Sequence, residues 1–404
     1  MANFDQDAAA TKSSAGRSLS DLLVAVVSAP FVFIVGILVW VRQQLPKDRK
    51  AVGTDLDGTV WNFFSDAFFP GMQEAVPTLA RKLFCRLGKQ QHCNIHVGPA
   101  EMDVISKALG VVIERRGTHD WPWLIEESAL WQDPKYRELW ASYAEFRREM
   151  VEPFWRAVDR TRHKYLRLFP EVAESFDALH AHGKKIYALS DAPAYNASRK
   201  VVETNLAHRL DALYALDTPE PTDWNLTEEE KEFGRQRIKD VFAELPCKLV
   251  ILPVHYEKPN PEGFFKLMTD NGLRPQDVIY VGDSLKKDGG VAANVRQKFL
   301  KDDSSNAGFC QRVYARIYNR QVAEVAFLWA EYGTYLPTVV RKMVEVHFHP
   351  TRTHLAPNTV KYPKMAARIS NWSLVLGFIN NRIKLQEVHL NPSAHSQPVE
   401  GSGH

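Results

Sequence analysis

The chain has 404 residues, room for two or three units at ~150 residues per domain. Hydrophobic residues make up 45% and aromatics 11%, enough for a substantial core, while 51 basic against 48 acidic side chains give a net charge of +3, too balanced to argue for nucleic-acid binding. Cys85, Cys93, Cys247 and Cys310 are scattered without paired spacing, which argues against a disulfide framework and for a reducing compartment.

Residues 1–20 are polar, without apolar period, and are expected to be disordered. Residues 21–42 contain an uncharged run, Leu22 to Val41, of the length a helix needs to cross a bilayer core of ~30 Å. Trp40 sits at its end, where an interfacial aromatic belongs, and no small-x-small cleavage pattern follows. A transmembrane anchor is expected. Arg42, Lys47, Arg49 and Lys50 follow the run and only Lys12 and Arg17 precede it, which puts the downstream side in the cytoplasm.

A short apolar run from Ala51 then breaks off at Thr54-Asp55-Leu56-Asp57-Gly58-Thr59. If the run is a strand, alternation puts Asp55 and Asp57 on one face. Carboxylates so close repel unless a cation lies between them or one is protonated. Residues 65–164 read as helices: Pro77 to Lys89, Pro99 to Glu114, and Pro134 to Arg162 with Trp140, Tyr143, Phe146, Met150, Phe154 and Trp155 at mostly helical spacing. A helix from Glu171 to His182 leads to a strand, Lys185 to Leu189, that ends in Ser190-Asp191. A helix from about Ala197 follows, then an insertion at about 207–247 with an acidic, proline-containing surface stretch at 216–236. Leu249 to Leu252 is the next strand, followed by Lys258-Pro259-Asn260-Pro261 and a helix near Glu262. Val278 to Val281 is a strand that ends in Gly282-Asp283-Ser284, with Asp288 beyond. After a second insertion at about 296–320 comes a late strand, Val325 to Ala330. The core spans 50–64 and 165–340; residues 341–390 form an extension of unordered short signals, and 391–404 a mobile tail.

Strands alternating with helices imply an α/β fold with a doubly wound parallel sheet. In such sheets ligands bind beyond the carboxyl ends of the strands. Three strands here end in aspartate, hydroxyl or glycine clusters.

These clusters, taken in order, resemble the four motifs of the haloacid dehalogenase superfamily: Asp55-Leu56-Asp57-Gly58-Thr59, Ser190-Asp191, Lys258-Pro259-Asn260-Pro261, and Gly282-Asp283-Ser284 with Asp288. The resemblance implies a Rossmann-like core with a helical cap inserted after the first strand, where residues 65–164 fall. It implies Asp55 as nucleophile forming an aspartyl-phosphate and Asp57 as general acid and base. Ser190 and Asp191 would bind the phosphoryl group, Lys258 would supply positive charge, and Asp55, Asp57 (through its carbonyl), Asp283 and Asp288 would hold Mg²⁺. An aspartate two residues after the nucleophile is what that family's phosphatases and phosphomutases carry. The resemblance therefore implies a Mg²⁺-dependent phosphatase acting on a phosphorylated small-molecule or lipid-linked substrate. A phosphomutase or other phosphotransferase, or a tethered binding protein without turnover, stays open.

Weaker constellations have plainer explanations. His347, His349 and His354 read as an exposed strand rather than a metal site. Cys85, His92, Cys93 and His96 fit no zinc template. Trp121-Pro122-Trp123 reads as a structural aromatic cluster with a smaller claim to touch substrate. Lys286-Lys287 reads as a solvated turn beside the fourth motif.

Overall fold

The structure, a computed structural model, describes residues 49–62, 67–88, 96–116, 120–222, 226–295, 325–330, 365–379 and 386–387. Residues 21–42, expected to be an anchor, the histidines at 347–354 and both termini lie outside the described residues. Among the described residues no helix is long and apolar enough to cross a membrane.

Eight strands form one sheet in the order β4-β3-β2-β1-β5-β6-β7-β8. They are β1 (Ala51–Thr54), β2 (Lys185–Pro193), β3 (Ala212–Leu216), β4 (Lys248–Leu252), β5 (Val278–Gly282), β6 (Ala326–Ala330), β7 (Met365–Ile369) and β8 (Gln386–Glu387). All pairings are parallel except β7 with β8. Strand alternation divides the core in two. Val52, Ile186, Ala188, Ile279, Val281 and Leu328 pack on one face, and Tyr187, Leu189, Tyr214, Tyr280, Phe327 and Trp329 on the other. Both faces are covered, as a parallel sheet requires.

Two strands differ from the sequence reading. β3 lies inside the stretch 207–247 expected to be an insertion, yet all five of its residues are buried between β2 and β4. Its Ala-Leu-Tyr-Ala-Leu has no β-branched residue to announce it. β7 extends the sheet into the stretch read as an unordered extension. Trp372, just beyond it, is buried edge-on to Phe176, with ring centroids 4.9 Å apart. Cysteine pairing also differs: Cys85 is disulfide-bonded, with its partner outside the described residues, and Cys247 is free. A bonded Cys85 no longer supports the argument for a reducing compartment.

Between β1 and β2 the chain is helical. The long helices are α1 (Phe69–Leu87), α2 (Pro99–Arg116) and α3 (Glu152–Tyr165). The single helix expected from Pro134 to Arg162 is broken instead. Asp133 and Ser142 each cap a new turn by accepting from Lys135 and Glu145 backbone N–H groups, at 2.9 and 3.2 Å. Residues 147–151 then widen into a π-turn just before Pro153, which has no N–H to donate.

The remaining helices are α4 (Val172–Ala181), α5 (Ala194–Glu203), α6 (Glu228–Ala243), α7 (Glu262–Asp270) and α8 (Ser373–Ile379). α6, in the stretch expected to be surface-exposed, is tied to the helical segment. Thr227 and Glu230 form a reciprocal capping box at its start, in which Glu230 Oε2 accepts from the Thr227 N–H at 2.9 Å. Glu230 Oε1 accepts from Trp131 Nε1 at 3.0 Å, and the Glu230 carbonyl accepts from the Tyr143 hydroxyl at 3.3 Å. Trp123 Nε1 donates to the Lys231 carbonyl at 3.0 Å across Gly234, where any Cβ would lie 2.4 Å from the indole. The Arg237 guanidinium lies 4.4 Å from the centre of the Trp155 ring. Trp121 and Trp123 are thus buried structural residues, with the Trp121 indole donating to Glu127 at 2.9 Å.

Candidate active site

In-register pairing of β1 with β2 and β5 brings three strand ends to one edge: Thr54 lies beside Ala188 and Val281. Asp55 follows directly, its N–H donating to the Val281 carbonyl at 2.8 Å. Ser190 and Asp191 continue β2, and Asp283 follows β5.

Carboxylate oxygens of Asp55, Asp283 and Asp288 lie within 4.8 Å of one another. Lys258 Nζ sits among them, 2.5 Å from Asp55 Oδ1 and 2.7 Å from Asp288 Oδ1. The Tyr280 hydroxyl donates to Asp288 Oδ1 at 3.1 Å, and the Ser284 N–H to Asp288 Oδ2 at 3.0 Å. Two glycines make this convergence possible. Gly58 has φ +82°, and a Cβ there would lie 2.4 Å from Asp283 Oδ2. A Cβ at Gly282 would lie 2.4 Å from Asp288 Cγ.

Burial sets the electrostatics. It pushes the Asp55 carboxyl well above the usual range; Lys258 opposes this, and Asp288 and Asp283 reinforce it. Burial and then Asp288 raise Asp283 to about 7. Burial alone would lower Lys258, but Asp288 and Asp55 outweigh it and hold the ammonium charged. One ammonium facing three carboxyl groups is too little to hold all three ionised, and Asp55 and Asp283 titrate high for that reason as well as burial. An all-oxygen donor set of this kind fits a hard divalent cation such as Mg²⁺, whose charge would favour the ionised forms.

The other expected residues sit around this centre. Ser190 is buried, and its Oγ accepts from the Ala192 N–H at 3.1 Å, so its proton is left to donate. Asp191 holds the Lys258 backbone: Oδ1 accepts from the Lys258 N–H at 2.9 Å, and Oδ2 pairs with Lys287 Nζ at 2.9 Å. Lys287, expected in a solvated turn, also reaches Glu257 at 3.1 Å. Asp57 is not one of the three clustered carboxylates, although its charge is felt at Asp283. Lys200 Nζ, on α5, lies 2.9 Å from both of its oxygens, and Trp61 Nε1 donates to Oδ1 at 2.6 Å. Lys200, Trp61 and Tyr280 were not legible as site residues. Lys200 sits mid-helix among apolar and polar neighbours, and only a buried position on the helix face would single it out.

Converging buried carboxylates and an ammonium at the carboxyl ends of a parallel sheet lie where open α/β folds bind their ligands, and they form a candidate active site. Residues 49–296 match the haloacid dehalogenase-like hydrolases, and the chain belongs to that family. No curated protein matches it. Among solved structures it is similar to a HAD phosphatase from Thermococcus onnurineus, at 17% identity and TM-score 0.38, over 84% of this chain and 100% of the other. It is similar to a 2-haloacid dehalogenase from Pseudomonas syringae at 15% and 0.40, over 83% and 99%. A predicted phosphoglycolate phosphatase from Haemophilus somnus matches at 15% and 0.31, over 82% and 98%.

Proposed function

We propose that this hydrolase is a Mg²⁺-dependent phosphatase that cleaves phosphomonoesters through Asp55. The supporting observation is the division of labour between two aspartates. Asp55 lies in the buried cluster with Lys258, Asp283 and Asp288, while Asp57, two residues on, is 40% exposed at its side chain and held outside that cluster. A carboxylate of each kind is what hydrolysis in two displacements needs.

In the first displacement an Asp55 oxygen bonds to phosphorus as the bond to the leaving oxygen breaks. Asp57 gives its proton to that oxygen. In the second, Asp57 takes a proton from water, whose oxygen attacks phosphorus and frees Asp55 and inorganic phosphate. Lys258 offsets the charge of the transferring group, and the Ser190 hydroxyl donates to one of its oxygens. Mg²⁺, held by Asp55, Asp283, Asp288 and the Asp57 carbonyl, would supply the remaining positive charge that lets a dianion approach a carboxylate.

The helical segment between β1 and β2 serves in this reading as the cap that selects the substrate, a phosphorylated small molecule or a lipid-linked phosphate. Residues 21–42 serve as a membrane anchor with the catalytic part on the cytoplasmic side. The test is phosphate release from p-nitrophenyl phosphate by the full-length protein in detergent. Activity is expected to stop on chelation, return with Mg²⁺, and vanish in Asp55→Asn. Full turnover by Asp55→Asn would refute the mechanism.

A further inference from the structure

Lys200 belongs to none of the four motifs, yet it is 4% exposed and its ammonium bridges both oxygens of Asp57. Burying an ammonium is costly unless it is paired, and the pair with Asp57 offsets that cost. The fully buried Trp61 indole fixes Oδ1 from another direction. Among the described residues Oδ1 accepts from two donors and Oδ2 from Lys200, which leaves Oδ2 the freer oxygen. The two donors come from unrelated parts of the chain. Trp61 lies on the loop after β1, closed by the Gly58 N–H donating to the Trp61 carbonyl at 2.8 Å, and Lys200 lies on α5.

We propose that Lys200 is a positioning residue: with Trp61 it clamps the Asp57 carboxyl so that Oδ2, with the proton that the second displacement returns from water, meets the leaving oxygen of the substrate. This rests on the phosphatase reading, in which Asp57 protonates that oxygen. A rigid clamp matters because displacement of a catalytic group by ~1 Å can cost on the order of 10²-fold in rate. The dependence on Lys200 follows the leaving group. A p-nitrophenolate leaves without help, whereas an alkoxide needs the proton.

The experiment compares p-nitrophenyl phosphate with a simple alkyl phosphate in the full-length wild type, Lys200→Met, Lys200→Arg, Asp57→Asn and the Asp57→Asn/Lys200→Met double variant. Lys200→Met is expected to lose on the order of 10²-fold in kcat on the alkyl ester and only a few-fold on the nitrophenyl ester, the range that general acid catalysis spans. Lys200→Arg should restore most of the alkyl activity, and the double variant should be no slower than Asp57→Asn alone. Equal losses on both esters, or a double variant slower by the full product of the single losses, would overturn the role. If Lys200→Met gives no cooperative melt, Trp61→Phe carries the same comparison, and loss of leaving-group selectivity there decides it. Failure of the wild type on both esters would sink the phosphatase reading as well. A working wild type with an unselective Lys200→Met would sink the clamp alone.

Discussion

Replacing Lys258 with methionine keeps the stem and removes the ammonium. The side chain is 3% exposed and its ammonium touches Asp55 at 2.5 Å and Asp288 at 2.7 Å, so the change strands like charges in a buried site. Removing one partner of a buried pair costs roughly 3–5 kcal/mol. At ~2.1 cal/mol/K of unfolding entropy per residue, each kcal/mol moves the melting temperature of a chain of 404 residues by only about 1 °C, so a drop on the order of 5 °C is expected in EDTA. Protonation of the carboxylates would blunt the effect, so the melt belongs on the alkaline side of neutrality, above the value of about 7 for Asp283. Mg²⁺ should then recover more stability in Lys258→Met than in the wild type, because the variant presents the same three carboxylates without the competing ammonium. Thermal denaturation with EDTA and with Mg²⁺ reads both effects without relying on turnover. Equal Mg²⁺ stabilisation of both proteins, or a variant that melts within a degree of wild type in EDTA, would refute the reasoning.

Glu126 tests burial elsewhere. Desolvation lifts its carboxyl to about 8, against hydrogen bonds that include one from the Tyr143 hydroxyl at 3.1 Å. The folded state keeps a proton that the unfolded chain loses, so stability should fall as pH rises from the ordinary glutamate value of 4.5 through about 8. Glu126→Gln should flatten that decline in melts taken across the range. Gly58→Ala should cost at least on the order of 10²-fold in kcat, since a Cβ would press on Asp283 at 2.4 Å and the backbone has φ +82°; Mg²⁺ titration should weaken in parallel. Trp372→Phe removes the bond from the indole to the Thr59 carbonyl, 2.9 Å long, and should lower stability by ~1–3 kcal/mol in urea denaturation, with kcat reduced because that carbonyl belongs to the loop carrying Asp57 and Gly58.

Much of the sheet was legible because β1, β2, β4, β5 and β6 are apolar runs, and the polar clusters that end β1, β2 and β5 are where the chemistry converges. Asp55, Lys258, Asp283 and Asp288 meet as the motif order implied. What escaped was whatever depends on tertiary partners. β3 shows no β-branched signal, and β7 carries Arg368 in mid-strand. The helix expected from Pro134 to Arg162 has the right periodicity, but its local caps at Asp133 and Ser142 override it. Lys200 and Trp61 declare themselves only when α5 and the loop after β1 come together at Asp57.

The α6 brace bears on how the molecule can be taken apart. The indoles of Trp123 and Trp131 and the Tyr143 hydroxyl find acceptors on Lys231 and Glu230, which enter the chain between β3 and β4. The segment between β1 and β2 is therefore not a self-contained graft. A chimaera that transplants it without α6 would strand the two buried indole donors, and one that carries α6 along would have to re-stitch the crossover between two strands of the recipient. Exchange of specificity in this chain demands two non-contiguous pieces moved as one.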